Sequence, residues 1–175
     1  MRLDRIAWAL VVAGALLVSA CYPTLDWREV ASAKGGYSIL MPAQQEHAER
    51  EIVLGGLALS MSMASVSRDG MAFGAAHADI PSGHARPAEL LAAARDALVR
   101  NIDGRITSAR DVTMGGATGM EFSADGRVGD RPMRLAARVF VADSRFYQVA
   151  VVGQRDRLSD ADVDLFLRSF RLLRK

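Results

Sequence analysis

The chain has a single cysteine, Cys21, among its 175 residues. An internal disulfide framework is therefore excluded. Lysine is nearly missing too, present at Lys34 and Lys175 alone, so arginine carries the positive charge. The formal net charge is only +2, and no run of Lys or Arg is dense enough for a nucleic-acid footprint. A nucleic-acid partner is not expected. A bilayer-spanning run of about 20 apolar residues is also lacking. The longest apolar stretch, Ile6 to Val18, fits the core of a secretory signal better.

What is present begins with that signal. Arg2 and Arg5 precede the apolar stretch, and the small residues Ser19 and Ala20 close it in front of Cys21. Val18-Ser19-Ala20-Cys21 resembles the bacterial lipobox. The resemblance implies a diacylglyceryl group on the Cys21 sulfur, cleavage just before Cys21, and acylation of the new amine, commonly with palmitate. The chemistry suits the residues: a thiolate is the nucleophile such thioether formation needs. Small side chains at 19 and 20 let an extended backbone enter a protease groove. Two or three acyl chains anchor a protein durably, at about 0.8 kcal/mol per buried CH₂. An ordinary signal peptide ending near a free cysteine and a retained membrane anchor are the bland alternatives.

The resemblance also bears on location. In sorting systems of the enterobacterial kind, Asp directly after the lipidated cysteine retains a lipoprotein in the inner membrane. Tyr22 and Pro23 stand there instead, which implies an outer-membrane lipoprotein facing the periplasm. The expected boundaries are a signal peptide over 1–20, a lipidated N-terminus and tether over 21–36, and one domain over 37–175. Pro23, Ala31-Ser32-Ala33 and Gly35-Gly36 give the tether its character, with Trp27 packed on the body. The processed chain is the size of one ordinary domain and can build a core without disulfides or metals.

Tyr37 to Met41 alternates and stops at Pro42, as a first strand would. Glu51 to Ser67 reads as strand, with Leu57, Leu59, Met61 and Met63 on one face and Gly55-Gly56 as a bulge or turn. Arg68-Asp69-Gly70 is a turn, and Met71 to Ile80 a further strand. Pro87 opens a helix with Leu91, Ala94, Leu98 and Ile102 at helical spacing, closed by Asn101 and Gly104. Arg105 to Thr113 and Thr118 to Ala124 read as strands, with Asp125-Gly126 as a turn. Pro132 to Val152 is a long antiparallel hairpin around Asp143-Ser144-Arg145. Ser159 and Asp162 form a capping box for a last helix bearing Val163, Phe166, Leu167 and Phe170. Leu172 and Leu173 carry apolar chain almost to the end, so the C-terminus should be tied down.

Several residues invite chemistry. The methionines could suit Cu(I), but a stripe of flexible core fillers is the better account. His77, Asp79 and His84 lie within eight residues and could bind a metal or do acid–base work. Their spacing matches no zinc motif, and His84 follows Pro81-Ser82-Gly83 in a loop, so ordinary histidines are favoured. His47 is isolated. Gly115-Gly116-Ala117-Thr118-Gly119 lacks the spacing and the lysine of a phosphate loop. Asp160, Asp162 and Asp164 lack the glycine and terminal glutamate of a calcium loop, and suit a helix start. Arg134 and Arg138 could form a basic strip for headgroups or a partner, but a solvated sheet face is the economical reading. No catalytic residue, metal or cofactor is assigned.

The order strands, helix, strands, helix, with antiparallel strands, gives an α+β sandwich in which two helices cover one exposed sheet face. The mature chain here resembles the PsbP-like superfamily. The likeness lies in Tyr37-Ser38-Ile39-Leu40-Met41-Pro42, in Arg145-Phe146-Tyr147-Gln148-Val149, and in Phe166-Leu167-Arg168-Ser169-Phe170. It carries over no catalytic residue and implies a binding or assembly module, an inference by fold analogy. The expected function is a lipid-anchored, periplasm-facing envelope protein acting as a non-catalytic binding or accessory module with a protein partner. The alternatives are a small hydrolase or metal-binding protein using His77, Asp79 and His84, and a carrier of a small apolar ligand in a cavity lined by Met61, Met63 and Leu91.

Overall fold

The computed structural model describes residues 25–83 and 86–173. In chain order the elements are β1 Arg28–Ser32, β2 Tyr37–Met41, β3 Glu46–Leu54, β4 Leu57–Arg68, β5 Met71–Asp79, α1 Pro87–Arg100, β6 Arg105–Met114, β7 Ala117–Val128, β8 Arg131–Ala142, β9 Arg145–Gln154, α2 Asp160–Ser169 and β10 Arg171–Leu172. Seven strands form one antiparallel sheet in the order β3-β4-β5-β9-β8-β7-β6. A small sheet, β1-β2-β10, packs with α2. No helix among the described residues is long and apolar enough to cross a membrane. The α+β architecture with an antiparallel sheet and two helices is the one the sequence predicts.

Turn chemistry sets the strand pairing. Gly55-Gly56 and Asp143-Ser144 all have positive φ, the conformation that two-residue hairpin turns need. The first of these makes Gly55-Gly56 a turn between two strands rather than a bulge. Ser159 caps α2 by accepting a hydrogen bond from the Asp162 amide at 3.1 Å, and its hydroxyl donates to the Asp162 carboxylate. Arg171 and Leu172 pair with Ser38 and Tyr37, which ties down the C-terminal segment as expected.

The alternation of strand residues divides the core in two. Ala75, Ala136, Phe140 and Val149 pack with Val163, Phe166 and Leu167 of α2. Their strand neighbours Ala76, Leu135, Ala137 and Val139 pack with Leu90, Leu91 and Ala94 of α1. Successive side chains of a strand point to opposite faces, so the helices lie on opposite faces of the large sheet. This corrects the expectation that both cover one face: both parities of the central strands are apolar. It also explains β4, where Leu59 and Met61 are buried on the α1 side and Ala64 and Val66 on the α2 side.

Three further expectations change. Of the tether read over 21–36, residues 21–24 lie outside the described residues and the rest is structured: Leu25 is buried, Trp27 lies edge-on to Phe73 at 5.7 Å, and β1 pairs with β2 along its whole length. Short polar β1 carries too little apolar signal to be seen alone. Asp125-Gly126 is not a turn but lies inside β7, whose turn comes after Val128. A Cβ at Gly126 would strike the Ile102 carbonyl oxygen, which accepts the Arg127 amide at 2.6 Å. Glycine is there so that the end of α1 can approach the strand. Arg134 and Arg138, finally, do not face open solvent. Arg134 pairs with Asp160 at 2.6 Å. Arg138, 13% exposed, pairs with Glu121 at 2.5 Å and donates to the Leu167 carbonyl at 3.0 Å. The two arginines hold the two ends of α2.

Candidate functional site

The β1–β2 hairpin overhangs the large sheet near β3, β4 and β5 and leaves a cleft of about 450 Å³ beneath it. Strand register builds the floor. Glu49 lies opposite Ser62, Ser62 opposite His77, and His77 opposite Tyr147, one row across four strands. His47 stands two residues from Glu49 and shares its face. Ser32, Lys34 and Tyr37 close the cleft from the hairpin side.

His77 is 6% exposed, and its Nδ1 has no hydrogen-bond partner among the described residues. The Tyr37 ring meets it edge-on at 6.0 Å. Burial pushes the imidazole pKa down, and the positive charge of Arg145 and Lys34 adds to this against the weaker pull of Asp79 and Glu49. His77 is thus held neutral near pH 7. Burial likewise raises the Tyr37 hydroxyl, which bonds to the Ser32 side chain, and the Tyr147 hydroxyl.

A clasp fixes the roof. Arg145 Nε donates to Asp79 Oδ1 at 2.5 Å, and Arg145 Nη1 donates to the carbonyls of Lys34 at 2.9 Å and Gly35 at 3.2 Å. The hydrogen bond from Arg145 holds the Asp79 carboxyl below its ordinary range. At the mouth, Lys34 Nζ lies 3.7 Å from Glu49 Oε1, which also accepts a hydrogen bond from Ser60 at 3.2 Å. These outer groups are exposed, so their ion pair is a weak closure.

Asp79 shares a strand face with His77, but its carboxylate is occupied by Arg145, and neither Asp79 nor Ser62 bonds to His77 Nδ1. An oriented base of the Ser-His-Asp kind is not assembled. No group of three His, Cys, Asp or Glu able to hold a metal occurs among the described residues. His84 and Cys21 lie outside the described residues. Met61 and Leu91 are buried in the α1-side core and Met63 packs against it, so the three meet in filled core, with Met63 also bordering the cleft.

The sequence reading set His47 aside as isolated and gave Lys34, Tyr37, Glu49 and Ser62 no part in a site. Alternation in β3 puts His47 and Glu49 on one face, but only the pairing register brings them beside His77, some thirty residues later.

No family model matches the chain, and no curated protein matches it by sequence. Solved structures do resemble it. The cyanobacterial PsbP (CyanoP) of Synechocystis sp. PCC 6803 has a TM-score of 0.59 at 14% identity, covering 91% of this chain and 99% of that one. LpqN of Mycobacterium tuberculosis, described as involved in cell envelope biogenesis, has a TM-score of 0.51 at 10% identity, covering 86% and 92%. A protein of unknown function from Pseudomonas aeruginosa, described as a putative regulator, scores 0.40 at 11% identity, covering 78% and 85%. At such identities the first two likenesses are ones of fold, and the fold this chain resembles is the PsbP-like α+β sandwich.

Proposed function

We propose that this protein is a lipid-anchored, periplasm-facing envelope protein, held at Cys21, which works as a non-catalytic binding or accessory module. The observation that carries the binding role is the open cleft under the β1–β2 hairpin, where polar groups converge without an oriented acid–base pair. The lipobox-like Val18-Ser19-Ala20-Cys21 supports the anchor, and Tyr22 supports outer-membrane sorting. The envelope role in the description of the Mycobacterium tuberculosis neighbour agrees with this reading by analogy of fold only.

The cleft can be closed to test the binding role. Ser62→Trp, on the floor beside His77, should leave the cooperative unfolding transition in place and reduce recovery of a cross-linked partner from native membranes at least several-fold. Undiminished recovery would move the binding surface elsewhere. Elemental analysis of the purified protein separates the rival reading. Stoichiometric zinc or copper, lost on His77→Ala, would replace the binding module with a metal-dependent activity.

A further inference from the structure

We infer that the end of the sheet where the N-terminal chain enters the fold is a docking face for the anionic headgroups of the membrane that holds the protein. The inference rests on the anchor at Cys21 proposed above.

Chain length supplies the first argument. Leu25 is already buried in the body of the protein. Only Tyr22, Pro23 and Thr24 separate it from Cys21. Even fully extended, the four steps from Cys21 to Leu25 span at most about 14 Å. Whatever surface surrounds Leu25 is therefore kept within reach of the headgroups.

Contacts identify that surface. Leu25 lines one groove with Trp27, Asp69, Met71, Asp156, Arg157 and Asp162. The Gln154 amide donates to the Gly70 carbonyl at 3.2 Å, and the Arg155 amide to the Pro132 carbonyl at 3.1 Å. Pro132 lies opposite Arg127, and Arg131 opposite Val128. The turns after β4 and β7 and the chain after β9 thus gather at one end with the N-terminal segment.

Charge supplies the second argument. These segments carry Arg68, Arg127, Arg131, Arg155 and Arg157 against Asp69, Asp130 and Asp156, and Arg155 is paired with Asp125 at 3.2 Å. Arg131 and Arg157 are exposed and form no ion pair within the described residues. Arg127 and Arg68 pair only loosely, at 3.8 Å each, with Asp130 and Asp69. Val128, opposite Arg131 and next to Arg127 in the chain, has 52% of its surface exposed. An apolar tip flanked by guanidinium groups is what a headgroup layer accepts. At the opposite end the arginines are paired: Arg145, after the Asp143-Ser144 turn, with Asp79, and Arg86, beside Gly55-Gly56, with Glu89. Guanidinium groups pair bidentately with phosphate oxygens, so the asymmetry orients the molecule. The cleft floor at Ser62 then stands about 20 Å along β4 from Arg68, clear of the headgroup layer.

The test uses the full lipidated protein in vesicles. With Cys21 blocked as a thioether, a cysteine introduced by Val128→Cys or, at the far end, Thr113→Cys takes a fluorophore alone. The vesicles are zwitterionic lipid with about one-fifth anionic phospholipid, and carry a headgroup-attached quencher. Intact mass confirms lipid on each sample. The expected result is quenching at 128 several-fold stronger than at 113. It should fall toward the value at 113 when the anionic lipid is omitted, when salt is raised, or when Arg127, Arg131 and Arg157 are together changed to Gln. Equal quenching at the two positions in lipidated protein overturns the docking face while leaving the anchor intact. Strong quenching at 128 that ignores salt, anionic lipid and the triple change assigns the orientation to the short tether and overturns the role of the arginines. A Cys21 without lipid overturns both the anchor and this inference.

Discussion

Asp79 holds Arg145 at 2.5 Å, and through that pair the turn of the β1–β2 hairpin is fixed over the cleft. The pair is asymmetric: the Asp79 side chain is 74% exposed and that of Arg145 24%. Asp79→Asn should therefore cost little global stability, about 0.2–1 kcal/mol. Its effect should show in the turn. Amide exchange at Gly35 and Gly36, whose N–H groups bond to Ser32, should speed up several-fold, and more so in Arg145→Met. Unchanged protection in both variants would mean that the turn holds itself.

The last helix is an anchor of the core. Phe166 is fully buried and lies against Phe73 at 5.2 Å and Trp27 at 6.4 Å. Phe166→Ala should destabilise the domain by about 3–5 kcal/mol, read as a shift in the denaturant midpoint. A loss below about 1 kcal/mol would contradict the packing of α2 on the sheet.

Gly126 predicts a backbone effect. A side chain there meets the Ile102 carbonyl and the Gly104 backbone, neither of which can swing aside as a side-chain tip can. Gly126→Val should cost about 1–3 kcal/mol and expose the Arg127 amide to exchange. A neutral substitution would show that the end of α1 does not touch β7.

The pH dependence follows from buried charge. Burial lowers the folded-state pKa of His77 from 6.5, with Arg145 and Lys34 adding to the effect. Tyr37 and Tyr147 also face it, neutral at these pH values. Between the lowered value and 6.5 the unfolded chain binds more protons than the folded one, so stability rises with pH through that window. The stability is complete above about pH 6.5 and is lost as pH falls toward the folded value. Asp79 and Glu121 act at lower pH. Burial alone would raise Glu121, but hydrogen bonds from Arg110 and Arg138 outweigh it and hold the carboxyl down. Asp79 is held down mainly by its hydrogen bond from Arg145. Their contribution is present above the ordinary carboxyl values and lost as pH falls through the folded ones. His77→Phe should flatten the limb just below pH 6.5 and leave the more acid limb. Equal steepness in both proteins would contradict a buried neutral imidazole.

Much of the fold is legible because local signals agree with it. The capping box at Ser159, the Pro87 start and the stripe through Leu135, Ala137 and Val139 act within a few residues, and each element forms where they point. What escapes is set by contacts between distant segments. Strand β1 depends on pairing with β2 and on burial of Trp27 against Phe73. Gly126 looks like turn glycine and is packing glycine, because Ile102 approaches from across the chain. Arg134 and Arg138 look solvated and are tied to α2. The cleft shows the same limit: His77 was visible as a candidate, but its partners in the row come from β3 and β4 through register alone.

The central claim is that this folded domain is held to an envelope membrane by lipid on Cys21. Intact mass spectrometry of the protein purified from host membranes tests it most directly. The account predicts a chain of residues 21–175, heavier by a diacylglyceryl group and an amide-linked acyl chain, with both additions on Cys21. Cys21→Ser should lack them and retain the signal segment. A chain that begins elsewhere, or one that begins at Cys21 with a free thiol, would contradict it.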